Sequence, residues 1–156
     1  MVVNDDSHFL SVFSVHDTPV ITNDVAEFIE ASTPTIKPKN SLTLKIKSNC
    51  IDETEKVLYK RAIKEYYTEK YIASGQELAR NRTVTVLLAL VGILALALAL
   101  LLEYLTSPVW VEVIDIVAWV FLWEATYIYF FESRKLKYTR RKYVSYVAMK
   151  VEFEDS

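Results

Sequence analysis

The chain has 156 residues, of which 52% are hydrophobic and 24% are charged, and its formal net charge is -2. This charge excludes the strong basic excess that is typical of nucleic-acid-binding domains, and the single cysteine, Cys50, excludes an intrachain disulfide framework. Charged and apolar residues occupy separate stretches of the chain, which indicates a membrane protein rather than a soluble domain.

The first 40 residues (1–40) are predicted to form an acidic N-terminal tail and linker. Six carboxylates lie before residue 31, and no lysine or arginine accompanies them there. Two short apolar runs, 9–13 and 20–21, are candidate strands, but neither alternates cleanly with polar residues. Two prolines near the end of the segment remove backbone donors and stiffen the chain, which is typical of a linker.

Residues 41–82 are predicted to form a cytosolic strand and an amphipathic helix. The strand is indicated by alternation of apolar and polar residues. Its apolar residues are Leu42, Leu44 and Ile46. Asp52 and Glu55 have the spacing of a capping box, in which each side chain accepts a hydrogen bond from the other's backbone N–H. The helix that follows has one apolar face, made of Tyr59, Ala62, Ile63, Tyr66 and Tyr67. Ser74 and Gly75 are expected to weaken this helix before it re-forms toward the membrane.

A transmembrane hairpin is predicted at residues 83–131, with spans at about 84–104 and 109–131. Val84–Leu102 contains nineteen residues without a charge. At ~1.5 Å per residue this segment is about 28 Å long, close to the hydrocarbon thickness of a bilayer. Small residues within it are candidates for close helix packing. They are Ala89, Gly92, Ala95 and Ala99.

The second span is predicted to follow a tight turn at residues 105–108. Proline at the start of the helix is tolerated, because its missing N–H has no partner there. Trp110 at one end and a run of aromatic residues at the other mark the two membrane interfaces. Acidic residues at the outer end of the hairpin form a candidate outer mouth: Glu103, Glu112 and Asp115.

Lysines and arginines flank the hairpin on both sides, whereas its loop has none, so both termini are expected in the cytosol. The basic residues before the first span are Lys60, Arg61, Lys64, Lys70, Arg80 and Arg82, and those after the second are Arg134, Lys135, Lys137, Arg140, Arg141 and Lys142.

Residues 132–156 are predicted to form a cytosolic basic helix followed by a strand. The apolar residues of this strand are Met149, Val151 and Phe153. We expect it to pair with the first strand, within one subunit or between subunits, with Glu152 or Glu154 opposite Lys45 or Lys47. Because an isolated two-stranded ribbon is marginal in water, this pairing requires a contribution from residues 9–30 or an oligomer.

Glu124 is the one ionisable residue predicted near the middle of a span, where an ionised carboxylate costs at least a few kcal/mol. No basic residue of the chain lies at that depth. Three interpretations follow: a protonated carboxyl hydrogen-bonded across a helix interface, a pore-facing or proton-relay group, or a site for a partner helix or lipid. Two helices cannot enclose a pore, so a conducting form requires an oligomer, in which rings of carboxylates would favour cations.

The sequence contains no enzyme signature. It has only two glycines, so no glycine-rich loop can hold a phosphate, and its two histidines, His8 and His16, lie in the acidic tail without a nucleophile or a spaced ligand set. We therefore expect no catalytic residue, no metal site and no cofactor.

The chain resembles a family of uncharacterised bacterial two-helix hairpin proteins with a tryptophan-rich second span. The resemblance lies in the segment Ala118–Glu124, in the aromatic run to Phe131, and in the basic helix with its Val-Glu-Phe strand. The most specific feature is the pair Trp119 and Trp123. Members often carry Arg-Pro after the second tryptophan, where this chain has Glu-Ala. The resemblance covers about residues 41–154 and implies the architecture and a bacterial inner-membrane location, with no activity attached.

These patterns together predict a mainly α membrane protein: a transmembrane hairpin with cytosolic helical extensions and a small β element. The leading expectation is a non-enzymatic homo-oligomer of the bilayer, as a pore-forming effector or channel subunit controlled by its cytosolic module would be. The alternatives are a membrane anchor or adaptor that recruits an unknown cytosolic protein or ligand, and an accessory subunit of a larger membrane complex. No nucleic-acid partner is expected.

Overall fold

The computed structural model describes residues 1–3, 8–11, 14, 19–33, 42–103 and 108–154. The elements in chain order are α1 (Asn23–Ala31), β1 (Thr43–Lys47), α2 (Glu53–Leu102), α3 (Pro108–Tyr127), a π-helical turn (Ile128–Glu132), α4 (Ser133–Val147) and β2 (Lys150–Glu154). The predicted mainly helical fold with a small β element is confirmed.

The chain divides into two compact units. One consists of Met1–Ala73 and Thr139–Ser156, and we call it the α/β unit. The other consists of Ser74–Tyr138, and we call it the hairpin unit.

The N-terminus of α2 is held by the predicted capping box. The Asp52 carboxylate accepts hydrogen bonds from the backbone N–H groups of Thr54 and Glu55, at 2.8 and 2.9 Å. The Glu55 carboxylate in turn accepts from the Asp52 N–H at 2.9 Å. Two of the otherwise unpaired donors at the helix end are thereby satisfied, and the helix start is fixed.

The expected weakening of α2 at Ser74 and Gly75 is wrong, because the helix is continuous from Glu53 to Leu102. One interior glycine costs about 1 kcal/mol relative to alanine, which is too little to interrupt a helix with long helical stretches on both sides. Ser74 is itself buried, with 5% of its surface exposed.

The sheet of the α/β unit is parallel. β1 pairs with β2 in the register Leu44 opposite Val151 and Ile46 opposite Phe153. The predicted charge pairing also occurs, since Lys45 lies opposite Glu152 and Lys47 opposite Glu154.

The N-terminus of the chain supports the other edge of β1. Val3 N–H donates to the Lys47 carbonyl at 2.9 Å, and Lys47 N–H donates to the Met1 carbonyl at 2.9 Å. The Met1 ammonium group donates to the Lys45 carbonyl at 3.0 Å. β1 is therefore bonded along both edges within one chain, which supplies the support that an isolated two-stranded ribbon lacks.

The N-terminal segment differs from the expected tail. Residues 23–31 form α1, and Val25, Ala26 and Ile29 of this helix are buried in the core of the α/β unit. Phe9 stacks on Tyr59 with ring centroids 4.3 Å apart. Leu10 and Ile21, from the two candidate strands, form an isolated antiparallel bridge. The linker was predicted at 31–40. Ala31 instead ends α1, and Ser32 caps that helix, while residues 34–40 lie outside the described residues.

The core of the α/β unit is built from aliphatic and aromatic side chains that converge from every one of its elements. The largest fully buried side chains are Tyr67, Tyr146, Ile21, Ile29, Ile46 and Ile63. Four of the five residues predicted for the apolar face of the cytosolic helix are buried, and the fifth, Tyr66, is partly buried against them.

Candidate functional site

Two helical stretches are long and apolar enough to cross a membrane: Glu53–Leu102, and Pro108–Val147 with its π-helical turn. Only 11% and 17% of their most apolar windows are buried within the chain. The core helix of a soluble domain is mostly buried, so these windows do not serve as a core for the described part of this chain. Of the turn predicted at 105–108, Pro108 is the first residue of α3, and residues 105–107 lie outside the described residues.

The hairpin unit has a packing seam along which buried or half-buried positions recur every three or four residues. These seam positions are Asn81, Thr85, Leu88, Gly92, Ala95, Ala99 and Leu102 on α2, and Val111, Ile114, Ala118, Phe121, Ala125 and Ile128 on α3 and the start of the π-helical turn. Residues next to the seam are also half-buried, namely Ala89, Leu96, Asp115 and Leu122. This is the heptad period of helices that supercoil left-handedly. The four small residues predicted as a packing face are all buried or half-buried, with Ala89 beside the seam.

Gly92 lies at a close contact between α2 and α3. A Cβ atom at this position would lie 2.8 Å from Leu122 Cγ and 3.1 Å from the Ala118 carbonyl oxygen. Both distances are below normal van der Waals contact, so only glycine fits without a shift of α3. Small residues at such a crossing let the backbones pack closely, as in membrane helix pairs.

Glu124 lies beside this seam and not in it. Its neighbour Ala125 is buried, whereas Glu124 itself is exposed on the surface of α3. No described residue forms a hydrogen bond or ion pair with its carboxyl group. Nearby exposed residues of α3 are large and apolar, among them Val120 and Trp123. The chain therefore presents a carboxyl group on an otherwise apolar surface.

The three residues predicted for an acidic outer mouth flank the turn between the helices. Glu103 directly follows α2 and is exposed, as is Glu112, while Asp115 is half-buried. All three belong to the same unit as Glu124.

A second feature of the hairpin unit was missed by the sequence analysis. A groove of about 580 Å³ follows one face of the helix across the π-helical turn. Its lining residues are Phe130, Phe131, Arg134, Lys135 and Tyr138. Its signal in the sequence is a spacing of four between aromatic and basic residues, which joins the end of the aromatic run to the start of the basic helix.

The α/β unit holds a buried tyrosine cluster. Tyr67 and Tyr146 stack with ring centroids 4.6 Å apart, and Tyr67 donates a hydrogen bond to the Ala26 carbonyl at 3.4 Å. The Tyr146 and Thr33 hydroxyl groups lie 2.7 Å apart. Burial raises the pKa of Tyr67, so its hydroxyl stays protonated and serves as a donor. This cluster is structural, since its polar atoms are used to join α1, α2 and α4.

The described residues contain no group of three or more histidine, cysteine, aspartate or glutamate side chains that could hold a metal ion. Cys50 bonds locally, with its sulfur 3.0 Å from the Ser48 hydroxyl oxygen.

Comparison of the chain with protein-family models, with curated proteins and with solved structures finds no match. The resemblance to two-helix bacterial hairpin proteins therefore stays a prediction.

Proposed function

We propose that this protein is a non-enzymatic subunit of a homo-oligomeric membrane assembly, in which the hairpin spans the bilayer and Glu124 faces a cation-conducting path. Both termini lie in the cytosol, and the membrane is a bacterial inner membrane. The α/β unit is the cytosolic module that controls the assembly.

The observation that carries this proposal is the exposed position of Glu124. A carboxyl group near the bilayer centre is costly unless it pairs, is protonated or faces a polar cavity. No described residue of the chain pairs with it, and the seam that packs α2 on α3 does not cover it. A further copy of the chain, arranged so that the Glu124 side chains converge on an axis, would remove this carboxyl from the hydrocarbon.

The acidic residues near the turn support the choice of cations. Glu103 and Glu112 are exposed, and repetition of each around an axis would form negatively charged rings. Rings of carboxylates at a pore entrance concentrate cations and disfavour anions.

The first experiment measures the oligomeric state of the purified chain in mild detergent by native mass spectrometry, together with cation flux into vesicles. We expect a closed oligomer of four or more subunits, because a monomer or dimer of two-helix hairpins has too few helices to surround a path. Glu124→Gln should change the flux while leaving the subunit number unaltered. Glu77→Gln, which removes an exposed carboxyl on α2, is the matched control and should leave both unchanged. A monomer, or a flux identical in wild type and Glu124→Gln, would contradict the proposal.

A second candidate function is supported by the α/β unit. A groove of about 520 Å³ lies between the N-terminal segment and α2, and its lining combines apolar and charged residues: Pro19, Val20, Arg61, Lys64, Glu65, Tyr66, Thr68 and Glu69. Such a surface suits a cytosolic protein that is recruited to the membrane.

A photoreactive residue at Val20, inside this groove, tests the adaptor function in intact cells. The full-length chain should form a specific crosslink from this position. The same residue placed at Val57, which is exposed elsewhere on α2, should not form that crosslink. Identical crosslinks from both positions would argue against a recruiting groove.

A further inference from the structure

We propose that the groove lined by Phe130, Phe131, Arg134, Lys135 and Tyr138 binds the headgroup and upper acyl region of an anionic phospholipid. This inference rests on the proposed insertion of the hairpin into a bilayer, and it adds a ligand site that the proposed cation path does not use.

The π-helical turn determines which side chains face the groove. The seam on α3 passes through Ala125 and Ile128, and a regular helix would continue it at Glu132 and Lys135. Both of these residues are exposed, and the buried position is Ser133 instead, followed by half-buried Leu136. The π-helical turn at Ile128–Glu132 inserts one residue into the period and so rotates Lys135 out of the packed side.

The two cationic groups in the groove carry no counter-charge from the chain. Arg134 and Lys135 are exposed, and neither forms an ion pair or hydrogen bond with any described residue. By contrast, Arg140 further along α4 is engaged, since it donates to the Tyr71 hydroxyl at 2.8 Å. Arg134 and Lys135 therefore remain available for a phosphate, which a guanidinium group can bind through two parallel hydrogen bonds.

The exposed phenyl rings of Phe130 and Phe131 in the groove favour a lipid as the ligand over a free anion. Phe130 and Phe131 are 61% and 66% exposed, and each is held by a second ring, Tyr129 at 5.0 Å and Tyr127 at 5.5 Å between centroids. An inorganic phosphate gains nothing from two exposed phenyl rings. A phospholipid presents a phosphate and an apolar glycerol–acyl region next to each other, in the same order as the basic and aromatic residues along this helix.

The surrounding charge favours an anionic headgroup over a zwitterionic one. A choline headgroup would bring its own cation toward Arg134 and Lys135, whereas phosphatidylglycerol adds none. Basic residues beside a membrane surface each contribute roughly a 5.4-fold preference for anionic lipid, so two of them give about 30-fold at low ionic strength.

The test titrates phosphatidylglycerol or phosphatidylcholine into the purified full-length chain in detergent and counts bound lipids by native mass spectrometry. Wild type should bind phosphatidylglycerol about 30-fold more tightly than phosphatidylcholine. R134Q/K135Q should lose most of this preference, and the charge-conserving R134K/K135R should keep most of it. K70Q/R141Q, which removes one exposed lysine and one exposed arginine of the α/β unit, is the matched control and should behave as wild type.

Equal affinity of the wild type for the two lipids would overturn the inference without any reliance on a variant. Displacement of phosphatidylglycerol by soluble glycerol phosphate at similar concentration would identify a free-anion site and would also overturn it. Insertion into vesicles of both lipids, followed separately by flotation and carbonate extraction, distinguishes this failure from that of the proposed function. If the chain inserts but shows no lipid preference, only the proposed lipid site is wrong. If the chain fails to insert, both the proposed membrane hairpin and the lipid site are wrong.

Discussion

The two units of the molecule place large and small side chains in opposite positions. The α/β unit buries its largest residues, including Tyr67 and Tyr146, and exposes charged ones. The hairpin unit buries Ala99, Ala118 and Ala125, while Trp123 is 72% exposed. One continuous helix, α2, contributes to both arrangements. The same helical backbone therefore buries large side chains in one unit and small side chains in the other. We infer that this difference arises from the surroundings of each unit.

This inversion has a physical cause if the hairpin lies in a bilayer. In water, folding is driven by removing large apolar side chains from the solvent, so these side chains form the core. In lipid, large apolar side chains gain little by leaving the solvent, and helix pairs are held by close contact between small residues. Exposed tryptophan and leucine on the hairpin are then solvated groups, and Gly92 and its alanine neighbours form the contact.

The largest expected effect comes from truncating a core residue of the α/β unit. Ile46 is 0% exposed, and Ile46→Ala should lower the free energy of unfolding by about 3 kcal/mol through lost burial and the remaining cavity. In the hairpin unit, Leu94→Ala removes a side chain that is 68% exposed and should change stability in detergent by less than about 0.5 kcal/mol. Chemical unfolding followed by far-ultraviolet circular dichroism measures the free energy of unfolding of both variants. Equal destabilisation by the two variants would show that the two units do not differ in which side chains stabilise them.

A somewhat smaller effect is expected from enlarging a residue in the seam. Gly92→Leu places a side chain where even a Cβ atom would lie 2.8 Å from Leu122, and overpacking of this kind costs about 2 kcal/mol. Ala97→Leu is the matched control, because it adds the same side chain at an exposed position of the same helix. Tryptophan fluorescence reports this unit, since all three tryptophans lie in it. Equal destabilisation by the two variants would show that Gly92 does not set the helix crossing.

The features that could be predicted from the sequence are those set by residues close together in the chain. The capping box at Asp52 and Glu55 could be predicted, because both hydrogen-bonding partners lie within four consecutive residues. The apolar run from Val84 is likewise local. Alternation in both strands revealed their apolar faces, but the parallel pairing of Leu44 with Val151 joins residues far apart in sequence, and no local pattern gives its direction.

The remaining features depend on tertiary packing. α1 was missed because its nine residues include several acidic ones, and only contact with the rest of the core reveals its apolar side. The heptad seam was hidden, since leucine and alanine fill almost every position of the first span and no polar residues outline a face. The spacing of the aromatic and basic residues of the groove was visible in the sequence, but the π-helical turn at Ile128–Glu132, which rotates Lys135 away from the packed side, leaves no mark in composition.

The smallest expected effect concerns pH and should be confined to the α/β unit. The hydrogen bond from Lys45, together with its positive charge, lowers the pKa of Glu154 below its ordinary value of 4.5. Because the folded-state pKa lies below the unfolded one, this interaction stabilises the folded state at pH values above 4.5, and its contribution is lost as the pH falls through the lowered value. Wild type should then exceed Glu154→Gln in thermal midpoint at neutral pH by about 2 °C or less, and the difference should vanish in stronger acid.

Differential scanning calorimetry of wild type and Glu154→Gln measures the thermal midpoint at each pH. Glu77→Gln in the hairpin unit is the control, since Glu77 is exposed and forms no ion pair with a described residue, so its midpoint should match wild type at every pH. A pH-dependent difference of the same size for Glu77→Gln would mean that general charge, and not the contact between β1 and β2, causes the effect. A difference seen only for Glu154→Gln would assign this part of the acid sensitivity to the contact between β1 and β2.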